Sequence, residues 1–292
     1  MLRPASRQPG RTSGRETSSV EFDAISWNLF NGRDHPPDPA LFTWRSRLLR
    51  ISERNATHLQ VNRDLLGEAA GLLSAARWDV ALLQECPPRW AAPLADACQA
   101  GMHLTLTSRN WLRSIRGPLA RGNPDLVGSW GGGSNLTLTR GCLGRGARER
   151  HELLLRRRPE RRKVDFVRLA NGLCVSNLHA SGPDNLAEPD VRRAAEAATA
   201  WAGDHPFILG GDFNLRASDS NLYRELADRL GVVGTTSPHA IDHLLSRGLE
   251  VVEAPRPWPP EAREVSSDDL VIRLSDHAPV SARFRLPTTA AD

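Results

Sequence analysis

Lysine is almost missing from this chain. Lys163 is the only one, and the remaining 37 of the 38 basic residues are arginine. Tyr223 is the single tyrosine, and there are two methionines. The four cysteines, Cys86, Cys98, Cys142 and Cys174, form no close pair and no CxxC spacing, which excludes the usual zinc frameworks and predicts buried or free thiols. No apolar run approaches the roughly 18–20 residues that a membrane-spanning helix needs. Residues 1–20 hold Arg3, Arg7, Arg11 and Arg15 among Ser, Thr, Gly and Pro, without an apolar stretch, so a flexible basic tail is expected rather than a secretory signal. These absences predict a cytoplasmic protein with no stable membrane association. Oligomeric state is not legible. No charge sign dominates: the formal net charge is +4, which permits an anionic partner without demanding one. The excess of Arg over Lys, with 21 Pro and 23 Gly, points to a GC-biased genome and weakens any reading of Arg as chosen for phosphate.

What remains is ordinary globular composition. The 292 residues are 40% hydrophobic and 25% charged, enough for a large buried core. Ala24–Leu29 reads as a short buried strand, 31–40 as a loop with three prolines, and Leu41–Ala76 as helical. Asp79–Glu85 is a strand that Pro87-Pro88 stops. His103–Thr107 alternates weakly, and residues 114–133 read as loop. Ser134–Arg140 alternates as a half-buried strand should. Residues 145–163 carry nine Arg or Lys against three Glu. Val164–Leu169 and Leu173–Leu178 flank Asn171-Gly172, a hairpin signal. Helices are expected at Pro189–Trp201 and Ser220–Leu230, and strands at Phe207–Gly211, Ile241–Leu245, Leu249–Val252 and Ala278–Leu286. The alternation predicts one mixed α/β domain over residues 21–287, with tails at 1–20 and 288–292.

Polar residues recur just past the apolar strands, where open α/β sheets place their sites. They are Asn28, Glu85, Asn177 with His179, Asp212 with Asn214, Asp242 with His243, and Asp276 with His277. Each has a plain structural alternative. Glu85 at a buried strand end needs a partner, a cation or water. Asn28 and Asn214 are good turn residues. Gly210-Gly211 allows the backbone before Asp212 to approach a ligand closely.

Taken together, in order, these segments resemble the endonuclease/exonuclease/phosphatase superfamily. They are Trp27-Asn28, Leu83-Gln84-Glu85, Ser176-Asn177-Leu178-His179, Gly211-Asp212-Phe213-Asn214, Ile241-Asp242-His243 and Ser275-Asp276-His277. The resemblance implies a mixed α/β (α+β) four-layer sandwich, two packed mixed β-sheets flanked by helices. It implies Mg²⁺, with Mn²⁺ as a substitute, held by Glu85 with Asn28 beside it and Asp276 near the ion. Asp212 would activate the attacking water and Asn214 position it. His277, oriented by Asp242, would stabilise charge on the phosphate. Asn177 and His179 would bind the scissile phosphate, with Asn135 at the site edge. Arg140 and Arg162 are further phosphate-contact candidates through their planar forks. His243 is read as structural. No carboxylate partner for His179 stands out, and the stretch from Gly32 to Asn55 reads as a specificity insert.

For function, the resemblance implies a metal-dependent phosphodiester hydrolase, with a nuclease favoured. The Arg-rich 145–163 segment and Trp111 and Trp130 supply a backbone track and stacking candidates. A phosphatase or phosphodiesterase for a small molecule or lipid headgroup is the alternative. An inactive binding module is the third reading, and the intact set of Glu85, Asp212, Asn214 and His277 argues against it.

Overall fold

The computed structural model describes residues 20–108, 110–111 and 113–287. The tails expected at 1–20 and 288–292 lie outside these, apart from Val20. Two sheets form the centre. The six-stranded sheet consists of β1 (Glu21–Asn28), β4 (Val80–Gln84), β5 (Gly101–Leu106), β6 (Ser134–Thr139), β12 (Glu250–Pro257) and β15 (Val280–Arg285), in the order β12-β15-β1-β4-β6-β5. The five-stranded sheet holds β7 (Ala147–Arg156), β8 (Arg162–Leu169), β9 (Cys174–His179), β10 (Phe207–Asp212) and β11 (Asp242–Arg247), in the order β11-β10-β9-β8-β7. Two small hairpins sit outside: β2 (Glu53–Arg54) with β3 (Leu59–Gln60), and β13 (Glu264–Ser267) with β14 (Leu270–Arg273).

The facing sides of the sheets bury Phe22, Leu82, Ile208, Leu244 and Phe284 against one another. Helices cover the outer faces. On the six-stranded sheet, α2 (Leu66–Ala75) and α3 (Ala91–Ala97) bury Leu73 and Leu94 with Trp27 and Leu83. On the other, α6 (Asp184–Ala202) and α7 (Leu222–Leu230) lay Val191, Ala194 and Leu226 over Phe166 and Leu209. Burying both faces of each sheet explains why the central strands read as continuous apolar runs. The result is the four-layer arrangement.

Strand direction determines where the site lies. β1 runs parallel to β4, and β9 parallel to β10, so Asn28, Glu85, His179 and Asp212 arrive at one end. β11, β15 and β8 run antiparallel to their neighbours, so their first residues, or those just before them, come to that same end.

Several expectations are corrected. The helix expected over Leu41–Ala76 is broken: α1 (Trp44–Leu49) ends at Arg50 in the left-handed region. The β2–β3 hairpin follows, turned by Asn55 Oδ1, which accepts from the Thr57 and His58 amides. Only then does α2 begin. The 114–133 stretch is not loop but α4 (Arg113–Gly122) and α5 (Pro124–Val127), with Asn123 capping α5 ahead of a first-turn proline. The basic segment is mostly the exposed edge strand β7. The Asn171-Gly172 hairpin forms as expected, pairing Val167 with Val175. All four cysteines are free, and Cys86, Cys98 and Cys174 are buried.

One glycine decides how β10 can be built. A Cβ on Gly211 would lie 1.8 Å from the Leu178 carbonyl oxygen, at φ +148°. Gly211→Ala therefore lowers the unfolding free energy by about 3 kcal/mol from overpacking and backbone strain, read by urea denaturation. A loss below about 0.5 kcal/mol would mean that β9 and β10 can slide apart freely.

Candidate functional site

The site is assembled from strand ends of both sheets. Asn28 of β1 donates through Nδ2 to Asp212 Oδ2 of β10 across the gap, at 3.0 Å. The Asn214 amide donates to Asp212 Oδ1 at 2.9 Å. His277, just before β15, places Nδ1 2.8 Å from Asp242 Oδ2 at the start of β11. Its Nε2 lies 3.9 Å from both Asp212 Oδ2 and Asp276 Oδ1. His179 Nε2 lies 3.5 Å from Asp212 Oδ2 and 3.9 Å from Glu85 Oε1. Asn31 Nδ2 donates to Glu85 Oε2 at 2.5 Å.

The backbone around these groups is held in sparsely populated conformations. Phe30, Asn31, Glu85, Asn214 and Ser275 all have φ between +47° and +61°. Such residues cost about 1–3 kcal/mol each and persist only where the surroundings over-determine them. Ser275 shows how: its Oγ donates to the Asn28 carbonyl at 2.6 Å and accepts from the His277 amide at 3.1 Å. Trp27 Nε1 adds a bond to the His277 carbonyl.

Burial and charge separate the titrating groups. Asp212 is buried, and that burial, with Asp242 nearby, pushes its pKa up to about 7. Burial opposes a charge on His277, yet Asp242, hydrogen-bonded to it, and then Asp212 and Asp276 carry its pKa to about 10. His179 goes the other way. Burial, then the charges of Arg162 and His277, hold it well below the ordinary imidazole value. One imidazolium and one neutral imidazole thus flank Asp212. Burial also raises Glu85, with Asp276 adding to it and Arg162 and Arg33 opposing.

Not every expected residue reaches this centre. Arg140 does not. β6 runs antiparallel to β4, so Arg140 sits beside Asp79, about 20 Å of strand away from Glu85. Its guanidinium donates to the Ala76, Trp78 and Cys98 carbonyls and lies over the Trp78 ring. Asn177 is fully buried between the sheets: Nδ2 faces the Leu136 carbonyl and Oδ1 accepts from Gln84 Nε2. It fastens sheets rather than phosphate. Asn135 behaves alike, donating to the Lys163 and Asn177 carbonyls. Asn28 is occupied at both ends, since its Oδ1 accepts from the Phe30 amide. Arg162 does reach the site, with Nη1 2.8 Å from His179 Nδ1, so a guanidinium stands where no carboxylate partner was found. His243 is structural, packed on Phe213 and Tyr223 with its Nδ1 accepting from the Thr236 amide.

Sequence reasoning missed Asn31 and Arg33. Their signal was the Asn-Leu-Phe-Asn-Gly run from Asn28 to Gly32, where close polar turn residues follow a buried strand.

The donor set suits a hard divalent cation. One ligand atom each from Asp212, Asp242 and His277 lies within 4.8 Å of the others, but a charged His277 has no free lone pair, so the carboxylate oxygens are the donors an ion would use. Asp242 Oδ1 is buried without a hydrogen-bond partner. Glu85 and Asp276 bring two more carboxylates against Arg33 and Arg162. Carboxylate-rich oxygen sites of this kind fit Mg²⁺ or Mn²⁺.

A family model described as the endonuclease/exonuclease/phosphatase family matches residues 25–277. The chain belongs to this family. Members hydrolyse phosphoester bonds and generally use a divalent metal. Solved structures agree on the fold of this family member. A family protein from Bacteroides thetaiotaomicron is 14% identical with TM-score 0.60, covering 92% of this chain and 99% of that one. A mannosyl-6-phosphatase from Bacteroides thetaiotaomicron VPI-5482 is also 14% identical with TM-score 0.60, over 90% and 98%. Truncated Caenorhabditis elegans TDP2 is 14% identical with TM-score 0.52, over 90% and 97%. No curated protein matches the sequence.

The histidine pair gives a direct test. The His277 ring stays charged from about pH 6 to 8, followed by its Cε1 proton resonance, because its pKa lies near 10. Its charge therefore stabilises the fold fully below about pH 6.5, and this contribution is lost as pH rises through about 10. In Asp242→Asn the pKa falls, and loss of charge begins at lower pH. An unchanged titration in Asp242→Asn contradicts the pairing.

Proposed function

We propose that this family member is a Mg²⁺-dependent phosphodiester hydrolase in which Asp212 is the general base. The observation that carries this reading is buried Asp212 standing 3.5 Å from His179 Nε2 and 3.9 Å from His277 Nε2, between the two sheets. A carboxylate with pKa near 7 is matched to taking a proton from water at neutral pH. Asn28 and the Asn214 amide fix its orientation. Asn214 donates its side-chain amide to the Ala180 carbonyl, leaving Oδ1 to accept from the water.

Charge develops on the phosphate oxygens as water attacks, and preorganised donors stabilise it. His277, held charged by Asp242, presents Nε2–H to one oxygen. Arg162 and His179 serve the other side, with His179 as a neutral donor toward the leaving oxygen. Glu85, with Asp276, would hold the cation. When bound, a divalent ion polarises the phosphoryl group and offsets its negative charge. Mn²⁺ substitutes because the ligands are the same hard oxygens.

For substrate class, one observation favours nucleic acid. Arg157, Arg158 and Arg161 form the β7–β8 turn beside Arg162, at the site end of the sheet, and could track a phosphate backbone. The likeness to a mannosyl-6-phosphatase supports instead a small phosphoester. Plasmid nicking, bis(p-nitrophenyl) phosphate and a sugar phosphate, assayed side by side, separate these.

Asp212→Asn keeps the shape and removes the base. Its hydrolysis rate falls by about 10³-fold or more while the circular dichroism spectrum is unchanged. Activity within a few-fold of wild type overturns Asp212 as the base.

A further inference from the structure

Most of the large apolar side chains left exposed gather on one part of the surface. On α1, Trp44, Leu48 and Leu49 are 65%, 58% and 57% exposed. On and beside α4, Trp111, Ile115 and Leu119 are 68%, 62% and 59% exposed. Soluble proteins rarely leave so much contiguous apolar surface uncovered without a partner. The two segments adjoin through α5: Asn123 Nδ2 donates to the Arg47 carbonyl at 2.7 Å, and Asn62 links Asn123 to Ser46.

This surface is also strongly cationic. From Thr43 to Ser52 there are three arginines and no acid, and α4 adds Arg116 and Arg121, the latter 3.3 Å from Asp64. Arg116 lies over the rings of both Trp111 and Trp130, at 4.7 and 5.4 Å.

The patch is continuous with the mouth of the site. A cavity of about 270 Å³ opens between them, lined by Phe30, Arg33, His35, Phe42, Arg47 and Asp125. Phe30 and Arg33 flank Asn31, which bonds Glu85, while Arg47 belongs to α1.

We infer that α1 and the α4–α5 segment form a docking face for an anionic phospholipid bilayer. Leu, Ile and Trp enter the interfacial region while the arginines meet lipid phosphates. The composition selects this occupant. Short helices with Trp and Leu on one face and Arg around them are built to lie in a membrane interface. Nucleic acid would use the arginines and tryptophans but gives exposed Leu48, Leu49, Ile115 and Leu119 nothing to bury against. Arginines outnumber the acids Glu53, Asp64 and Asp125 that border this face, which also suits a negatively charged lipid layer. Docking is peripheral, since no described helix is long and apolar enough to span a membrane. It departs from the expectation of no stable membrane association, which the vesicle test below decides. That a docked lipid's phosphoester then enters the site rests on the hydrolase reading given above; the docking itself does not.

The test is co-sedimentation of the full chain with phosphatidylcholine vesicles containing about 30% phosphatidylserine, and with phosphatidylcholine alone. Two variants accompany it: Trp44→Ser/Leu48→Ser/Leu49→Ser and Ile115→Ser/Leu119→Ser. These side chains are exposed, and unchanged thermal melting verifies that the variants fold. The wild type binds the anionic vesicles with a blue shift in tryptophan emission, and each variant binds at least about tenfold more weakly. Hydrolysis of soluble bis(p-nitrophenyl) phosphate is the same in all three, which keeps docking separate from chemistry. Vesicle binding by a wild type inactive on every soluble ester upholds docking and sinks the hydrolase reading. Docking is overturned by equal binding of wild type and variants, or by no vesicle binding at all. It is likewise overturned if this face instead retains single-stranded DNA, or holds two copies together in sedimentation, with the variants abolishing either.

Discussion

The bond from Asn28 to Asp212 is the contact on which the site depends, because it crosses from one sheet to the other. His277 to Asp242 is a second crossing of the same kind. A centre built across a gap works only if the gap is fixed. The apolar layer of Phe22, Leu82, Ile208, Leu244 and Phe284 holds the sheets together without fixing their register. Buried polar groups near the site end supply that register. Gln84 Nε2 bonds Asn177 Oδ1 at 2.8 Å, Asn135 Nδ2 bonds the Asn177 carbonyl, and Thr137 Oγ1 bonds Asp165 at 2.9 Å. Such directional bonds in a low-dielectric interior are costly to leave unmade, so they resist sliding.

Against this fixed frame the strand ends can be strained. Glu85 and Asn214 hold left-handed backbone conformations that short polar turns rarely impose on their own. Each is tied by a side-chain bond, Glu85 to Asn31 and Asn214 to the Ala180 carbonyl. Strain of this kind aims side chains into the cleft instead of along the strands. The same enclosure sets the charges. Four carboxylates face Arg33, Arg162 and charged His277, an excess of one negative charge that a divalent cation together with an anionic phosphodiester would balance.

Much of this was legible in the residues. The buried strands show as apolar runs because both their faces are covered. Asp212, His277 and Asp242 show as polar residues at strand ends, and the structure brings them together. The four-layer fold follows from the same ordered motifs. What was not legible depended on distance in space. Arg140 and Arg162 look alike as basic residues at strand ends. Only the direction of β6 against β4 sends Arg140 to the far side. Asn177 lies two residues before His179 yet points between the sheets, where a sequence pattern cannot tell a fastener from a ligand. The α4 helix was obscured by Gly117, Pro118 and its arginines, since Ile115 and Leu119 face outward and leave no core-facing periodicity, whereas α1 lies inside the stretch read as helical and only its end at Arg50 was missed.

In the proposed reaction one cation-dependent site, with Glu85 as a ligand, hydrolyses phosphate diesters. The direct measurement is the rate of bis(p-nitrophenyl) phosphate hydrolysis with Mg²⁺, with Mn²⁺ and with excess chelator, on the wild type and on Glu85→Gln. The account predicts hydrolysis that either ion restores after chelation and that falls about 10²-fold or more in Glu85→Gln. Hydrolysis that survives the chelator, or that Glu85→Gln leaves unchanged, would contradict it.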